Sequence, residues 1–174
     1  MNVINDVYKR DVQLLRWCVK SHHYKRFIVF VRAISKTGDG YMQLILPTFF
    51  LIQDAHTGFS FFVLVAIAFA IERPIYFVLK NTLKRRRPPD VVPHFFSLVT
   101  PADQFSFPSG HTMAAFLLAG LTVFHFGSAA FPLYAWAIAV GASRVILGVH
   151  FPTDIFAGAC LGTTIAYLMT YLMV

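Results

Sequence analysis

Ser143-Arg-Val-Ile-Leu-Gly-Val-His150-Phe-Pro-Thr-Asp154 lies between two apolar segments and carries a cation, a base and a carboxylate at fixed spacing. Pro152 suits the first turn of a helix, where its missing N–H costs nothing. That places His150 just before a helix and Asp154 in its first turn. From there the carboxylate can fold back onto one imidazole nitrogen and leave the other free and more nucleophilic. Arg144 is near enough in sequence to return to the same mouth and hold an anion. Taken alone, a His-x-x-x-Asp is more often a satisfied polar pair, so the reading depends on the rest of the chain.

Two other stretches bear on it. Lys80-Asn-Thr-Leu-Lys-Arg-Arg-Arg87-Pro88 sets a lysine seven residues before an Arg-Pro, and Phe107-Pro108-Ser109-Gly110-His111-Thr112 joins a hydroxyl, a glycine and a second histidine. Lys-x6-Arg-Pro, Pro-Ser-Gly-His and Ser-Arg-x5-His-x3-Asp, in that order, resemble the three-part signature of the type 2 phosphatidic acid phosphatase (PAP2) superfamily, in its membrane lipid phosphatase branch. Every signature residue is present. Lys80 to Asp154 covers under half the chain, and the apolar segments around it also resemble that family.

The 174 residues are 57% hydrophobic and 13% charged, with the charges excluded from long runs. The length suits one domain, 1–174. The uncharged runs read as membrane spans, so the expected fold class is all-α, an integral membrane helical bundle. The formal charge of +7 clusters beside those runs, which favours anionic headgroups and phosphate as partners; no nucleic-acid motif appears. Cys18 and Cys160 form neither a disulfide framework nor a zinc spacing. No cleavable signal peptide is visible, because the N-terminus lacks a continuous apolar stretch.

Residues 1–36 alternate apolar and basic positions and read as one or two amphipathic helices lying at the interface, with Trp17 and Tyr24 at headgroup level. Thr37–Gly40 is a turn. Tyr41–Gln53 is a short apolar segment with a possible kink at Pro47, and Gln53–Gly58 a polar turn. Phe59–Leu79, Ser109–Phe126, Ala129–Leu147 and Thr153–Met173 complete five spans; a sixth exists only if residues 12–34 cross. Gly158 and Gly162 form a small-x-x-x-small pair for close helix contact. With five spans, every motif falls on one membrane face. Glu72, inside a span beside Arg73, reads as a structural pair ahead of a partner for the site's cations.

Residues 80–107 form the catalytic-face loop. Its Phe95, Phe96 and Leu98 are expected to dip into the interface. Lys84, Arg85 and Arg86 occupy the variable positions of the first motif and read as a headgroup or topology patch. Asp103 and Gln104 read as solvated loop, with gating of the mouth as the alternative. His22, His23, His56, His94 and His125 are expected at the surface or interface.

A phosphate ester needs its charge held, its phosphorus attacked in line and its leaving oxygen protonated. Lys80, Arg87 and Arg144 supply cations, Arg being suited to bidentate contact. Ser109 gives a hydroxyl, and Gly110 allows close approach at a helix N-terminus. The resemblance implies the remaining roles. His150 attacks phosphorus to form a phosphohistidine, Asp154 orients it, and His111 protonates the leaving alkoxide and then deprotonates water. It also implies no metal and no cofactor; the signature's single acidic residue is too few for a magnesium cage.

The expected function is therefore a metal-independent phosphohydrolase in lipid metabolism, acting on a phosphomonoester or pyrophosphate of a phospholipid or polyprenyl carrier. Candidate substrates are phosphatidylglycerol phosphate, phosphatidic acid, undecaprenyl pyrophosphate and lipid A phosphate. The alternatives are a lipid phosphotransferase, in which a lipid acceptor intercepts the phosphohistidine, and a non-enzymatic lipid-binding or transport protein on the same scaffold. The continuous apolar runs disfavour a soluble haloperoxidase. The expected location is the bacterial inner membrane with the site on the periplasmic face, although the charge distribution argues for the cytoplasm. Neither the lipid nor the oligomeric state is written in the sequence.

Overall fold

The computed structural model describes residues 3–19, 25–101 and 103–173. Among them the chain is all-helical: α1 (Val3–Val19), α2 (Lys25–Thr37), α3 (Tyr41–Gln53), α4 (Ala55–Leu83), α5 (Pro88–Val91), α6 (Gly110–Phe126), α7 (Pro132–Ile146) and α8 (Pro152–Met173). Lys20, His22, His23 and Tyr24 lie outside the described residues.

Helices α1 and α2 each turn one apolar face onto the bundle and a mixed polar and apolar face outward. In α1, Asp6 in the first turn and Arg16 in the last complement the helix dipole. Its stripe of Val12, Leu15, Cys18 and Val19 packs against Val92, Phe95, Val145 and Phe151, while Trp17 points outward. Asp11 sits within this stripe and is buried. Helix α2 buries Val31 and Ser35, one turn apart, and packs on α7. It ends in the Gly38-Asp39-Gly40 turn. Gly40 adopts φ 108°, the left-handed region.

The expected polar turn Gln53–Gly58 is shorter in the structure. Only Asp54 leaves the helical conformation. Its carboxylate accepts from His56 N (3.1 Å), Thr57 N (3.4 Å) and Thr57 Oγ1 (2.5 Å), which starts α4 at Ala55. The hairpin then closes tightly: a Cβ on Gly58 would lie 2.3 Å from Leu51 Cα. Helix α3 runs through Pro47 without ending. At 29 residues, α4 is roughly 43 Å long. Lys80 therefore sits on its last helical turn, and the connection expected from residue 80 begins after Leu83.

Helix α6 is the centre of the bundle and packs most extensively on α8. The expected close contact at Gly158 and Gly162 is present. A Cβ there would stand 2.7 Å from Ser109 O and 2.2 Å from Met113 O, so two backbones touch. Phe61, Leu64 and Ala68 of α4, Met113, Leu117 and Leu121 of α6 and Ile165 and Met169 of α8 fill the main core. Large apolar side chains also face outward, among them Leu44, Phe49 and Ile52 on α3, Phe77 on α4 and Phe156, Tyr167 and Leu172 on α8. A soluble monomer seldom exposes so continuous an apolar belt; lipid is the solvent that suits it. The described helices α4 and α8, and α7 with the 3₁₀ turn before it, are long and apolar enough to cross a membrane. Helices α3 and α6 are apolar but shorter.

Several local expectations change. Phe95 is buried under α1, and Leu98 is half-buried with its N–H bonded to Leu147 O (2.9 Å); of the three loop apolar residues only Phe96 is exposed. His125, in the last turn of α6, is half-buried against the rings of Phe61 and Phe126, while His56 and His94 are exposed as expected. Glu72 is buried and paired with Arg73, the structural alternative, and Arg73 reaches outward.

Candidate active site

The motif residues come together at one end of the bundle because α4 and α7 deliver their last turns there, and α6 and α8 their first. Backbone bonds tie three of these ends: Ser109 N–H donates to Asp154 O (3.2 Å), joining α6 to α8, and Ser106 N–H to Arg85 O (2.8 Å), joining the approach to α6 to the connection after α4. His150 stands on the short loop after α7, opened by Gly148 at φ 77°. It is buried, 2% exposed. Its Nδ1 faces Asp154 Oδ2 at 3.6 Å, an ion-pair contact longer than a hydrogen bond. Such contacts commonly tighten when substrate is bound. Burial pushes the His150 imidazole down to about 4, against the upward pull of Asp154. The ring is therefore neutral near pH 7.

Asp154 has both oxygens engaged. Oδ2 accepts from Phe151 N (2.8 Å) and Oδ1 from Arg85 Nη1 (2.6 Å). Arg144 is buried on α7; its Nη1 donates to Ser35 Oγ of α2 (2.7 Å). Among the described residues, Arg144 Nε and His150 Nδ1 are the buried side-chain polar atoms without a hydrogen-bond partner. Both belong to this site, and unsatisfied buried groups of this kind mark strained or functional positions.

Lys80 and Arg87 face one carboxylate, Asp103. Lys80 Nζ lies 2.8 Å from Asp103 Oδ2, Arg87 Nη2 pairs with Oδ1, and Tyr76 donates to Oδ2 at 2.6 Å. Arg87 also reaches Val149 O (2.5 Å), next to the nucleophile candidate. Burial raises the Asp103 carboxyl, but the Lys80 and Tyr76 hydrogen bonds and the charges of Lys80 and Arg87 outweigh it and hold it at about 2. This is a correction: Asp103, though 40% exposed, is paired with both motif cations and is more than a solvated loop residue, while Gln104 is exposed as expected.

His111, in the first turn of α6, donates from Nε2 to Asp39 Oδ1 at 2.6 Å. Gly38 allows this approach, since a Cβ there would stand 2.8 Å from Val140 Cγ1. Ser109 is fully buried and accepts from Thr112 Oγ1 (3.0 Å). Gly110 lies under the Tyr76 ring, 2.8 Å from where a Cβ would be. A cavity of about 1410 Å³ opens onto His111, Arg144, Asp39 and Asp103, with Leu44 and Phe69 on its apolar wall.

Sequence reasoning missed Asp39, Asp11 and Arg85. Asp39 carried no signal beyond its Gly-Asp-Gly turn. Asp11 carried one, a carboxylate on the apolar stripe of α1. Arg85 overturns the patch reading: Lys84 and Arg86 are exposed as expected, but Arg85 turns inward to Asp154 and Asp11.

The helical bundle has an apolar exterior suited to lipid, and one end of it holds cations, two histidines that each face a carboxylate, and a cavity with both apolar and charged lining. The chain matches the PAP2 superfamily over residues 57–174 and belongs to it. It is 35% identical over 117 residues to phosphatidylglycerophosphatase B of Bacillus subtilis, covering 61% of this chain and 55% of that protein. To decaprenylphosphoryl-5-phosphoribose phosphatase of Mycobacterium tuberculosis it is 36% identical over 110 residues, covering 61% and 58%. This chain thus spans a little over half the length of these relatives. Its fold resembles the crystal structure of a transmembrane PAP2-type phosphatidylglycerolphosphate phosphatase from Bacillus subtilis, with a TM-score of 0.78, 26% identity and coverage of 97% of this chain and 86% of that one.

Proposed function

We propose that this protein is a single-domain membrane lipid phosphatase that hydrolyses a phosphomonoester or pyrophosphate of a phospholipid or polyprenyl carrier through a phosphohistidine at His150. The observation that carries the reading is the buried imidazole of His150, facing Asp154 on its Nδ1 side among cations from three helix ends. The lipid-phosphate names of the relatives support the substrate class.

In this reading Lys80, Arg87 and Arg144 hold the phosphate oxygens, with Ser109 and the Gly110 N–H beside them. Asp103 gives up its place between Lys80 and Arg87 as the phosphate enters. Nε2 of His150 attacks phosphorus, the P–O bond to the carrier breaks, and His111 gives its proton to the leaving oxygen. Water then attacks the phosphohistidine. His111 takes the water's proton, the N–P bond breaks, and inorganic phosphate leaves. Asp103 and Asp154 are each already engaged by cations, which supports a metal-independent mechanism.

We place the site on the periplasmic face of a bacterial inner membrane. Along the sequence the fifteen Lys and Arg fall before the first apolar span, within or after the second near its motif end, or at Arg144, which by the charge rule argues for the cytoplasm. Lys80, Arg85, Arg87 and Arg144 serve the site, however, and those of α1 and α2 sit on helices suited to anionic headgroups on either leaflet.

The test is a panel of lipid phosphates incubated with detergent-purified protein. Free phosphate, an acid-labile phosphoenzyme, inhibition by vanadate and activity in EDTA are expected. Transfer of the phosphoryl group to a second lipid would favour a phosphotransferase, and strict magnesium dependence would overturn the mechanism. For sidedness, Arg86→Cys with Cys18 and Cys160 changed to Ser should react with an impermeant thiol reagent in intact spheroplasts. Reaction only after permeabilisation would put the site in the cytoplasm.

A further inference from the structure

We propose that Arg85 and Asp11 are positioning residues for the reaction: with Thr153 they fix Asp154, and through it His150, so that amphipathic helix α1 is part of the catalytic apparatus. The inference rests on the phosphohistidine reading and assigns it a support from residues that are not signature residues of the three motifs.

The geometry is a closed ring drawn from three segments. Arg85, in the connection after α4, spreads its two terminal nitrogens. Nη1 donates to Asp154 Oδ1 (2.6 Å) and to Thr153 Oγ1 (2.7 Å), and Nη2 donates to Asp11 Oδ2 (2.7 Å). Asp11, on α1, completes the ring by accepting from Thr153 N (3.1 Å) and from the Thr153 hydroxyl. Thr153 and Asp154 are successive residues in the first turn of α8. The guanidinium also lies over the Phe151 ring at 4.3 Å, directly after His150. Leu15, one turn beyond Asp11, packs in the same cluster as Phe151. Polar and apolar contacts thus seat α1 under the His150 loop together.

Charge gives the ring its purpose. Asp11 and Asp154 are 2% and 0% exposed, and a buried carboxylate persists only with a partner. One planar guanidinium answers both, with its fork fixing their relative position; an ammonium lacks that geometry. Asp154 can then keep one oxygen toward His150 while the other is held from behind. Removing Arg85 leaves two buried carboxylates facing each other and Asp154 unfastened on the side away from the histidine. Asp11 lies outside the residues matched by the family model, so α1 adds to the site something the motif-bearing helices lack.

The test compares wild type, Arg85→Ala, Arg85→Lys and Asp11→Asn in full-length detergent-purified protein, using a lipid phosphate that wild type hydrolyses. Arg85→Ala should lose roughly 10- to 100-fold in kcat, the range for partners that orient a reacting group from behind, with KM changed less than threefold. Its phosphoenzyme should form more slowly in single turnover. Added guanidinium at millimolar concentration should restore at least a fivefold part of the loss, because it refills the slot. Arg85→Lys should recover less than guanidinium does. Asp11→Asn, a near-isosteric change, should lose roughly tenfold in kcat at unchanged KM and keeps the inference testable if Arg85→Ala does not fold. An Asp11→Asn kcat within twofold of wild type, or a folded Arg85→Ala whose loss lies in KM and is not rescued, would overturn it. Wild-type protein inactive on every lipid phosphate would instead overturn the parent reading.

Discussion

The two histidine neighbourhoods are built on opposite plans. His150 is sealed, with its carboxylate four residues away on the same stretch of chain. His111 opens to the cavity, a quarter of its side chain exposed, and its carboxylate comes from a turn 72 residues away. A nucleophile must be neutral, rigid and shielded from water until phosphorus arrives. A group that protonates one oxygen and then deprotonates another must meet both, so it stands at the mouth.

The contrast can be broken by experiment. His150→Ala should abolish turnover, by ~10⁴-fold or more when a member of such a unit is removed, and the loss should be the same for good and poor leaving groups. Residual activity within tenfold of wild type would remove His150 as nucleophile. His111→Ala should lose roughly 10²- to 10⁴-fold with a lipid phosphate but far less with p-nitrophenyl phosphate, whose leaving group needs no proton. Equal losses on both substrates would erase the distinction.

Arg144→Lys should fall roughly 100-fold in kcat/KM, since the planar fork that reaches Ser35 and keeps Nε toward the site is lost. Asp39→Asn should cost roughly tenfold, concentrated in the lipid substrate.

The pH profile sharpens the sealed plan. With the imidazole at about 4 in place of the ordinary 6.5, kcat/KM should hold through pH 5.5 and halve only near pH 4. The same shift ties stability to pH. The unfolded chain binds a proton between 6.5 and 4 that the folded chain refuses, so the His150 contribution is present above 6.5 and lost as pH falls toward 4. Thermal unfolding across that range checks it. At the small end, Lys84→Ala and Arg86→Ala should stay within twofold of wild type in a kinetic assay, since both side chains face solvent.

Legibility in the sequence followed chain distance. His150 and Asp154 are one helical turn apart, and their pairing could be reasoned from Pro152 alone. The small pair Gly158 and Gly162 announced a contact face. The partners of His111 and Arg144 come from α2 and the turn after it, and no local pattern ties Asp39 or Ser35 to motifs three or more helices further on. Arg85 shows a second barrier. Lys84, Arg85 and Arg86 read as one patch beside the motif cation Arg87, yet after α4 Arg85 and Arg87 turn inward and Lys84 and Arg86 outward. Asp54 reads as loop in the sequence because its capping begins α4 four residues before the apolar run.

The bridge from Asp103 to Lys80 and Arg87 turns substrate choice into a question of mass action. A tethered carboxylate competes at an effective concentration in the millimolar range, as short flexible tethers do. A dissolved phosphate compound at micromolar levels loses to it. In the proposed reaction a lipid held in the plane of the bilayer and delivered along the apolar wall of Leu44 and Phe69 would meet the site far more concentrated and displace it. On that reading the protein would discriminate against soluble phosphates through an occupant of its own rather than a shape that excludes them. Asp103→Asn should accordingly admit inorganic phosphate as a stronger inhibitor.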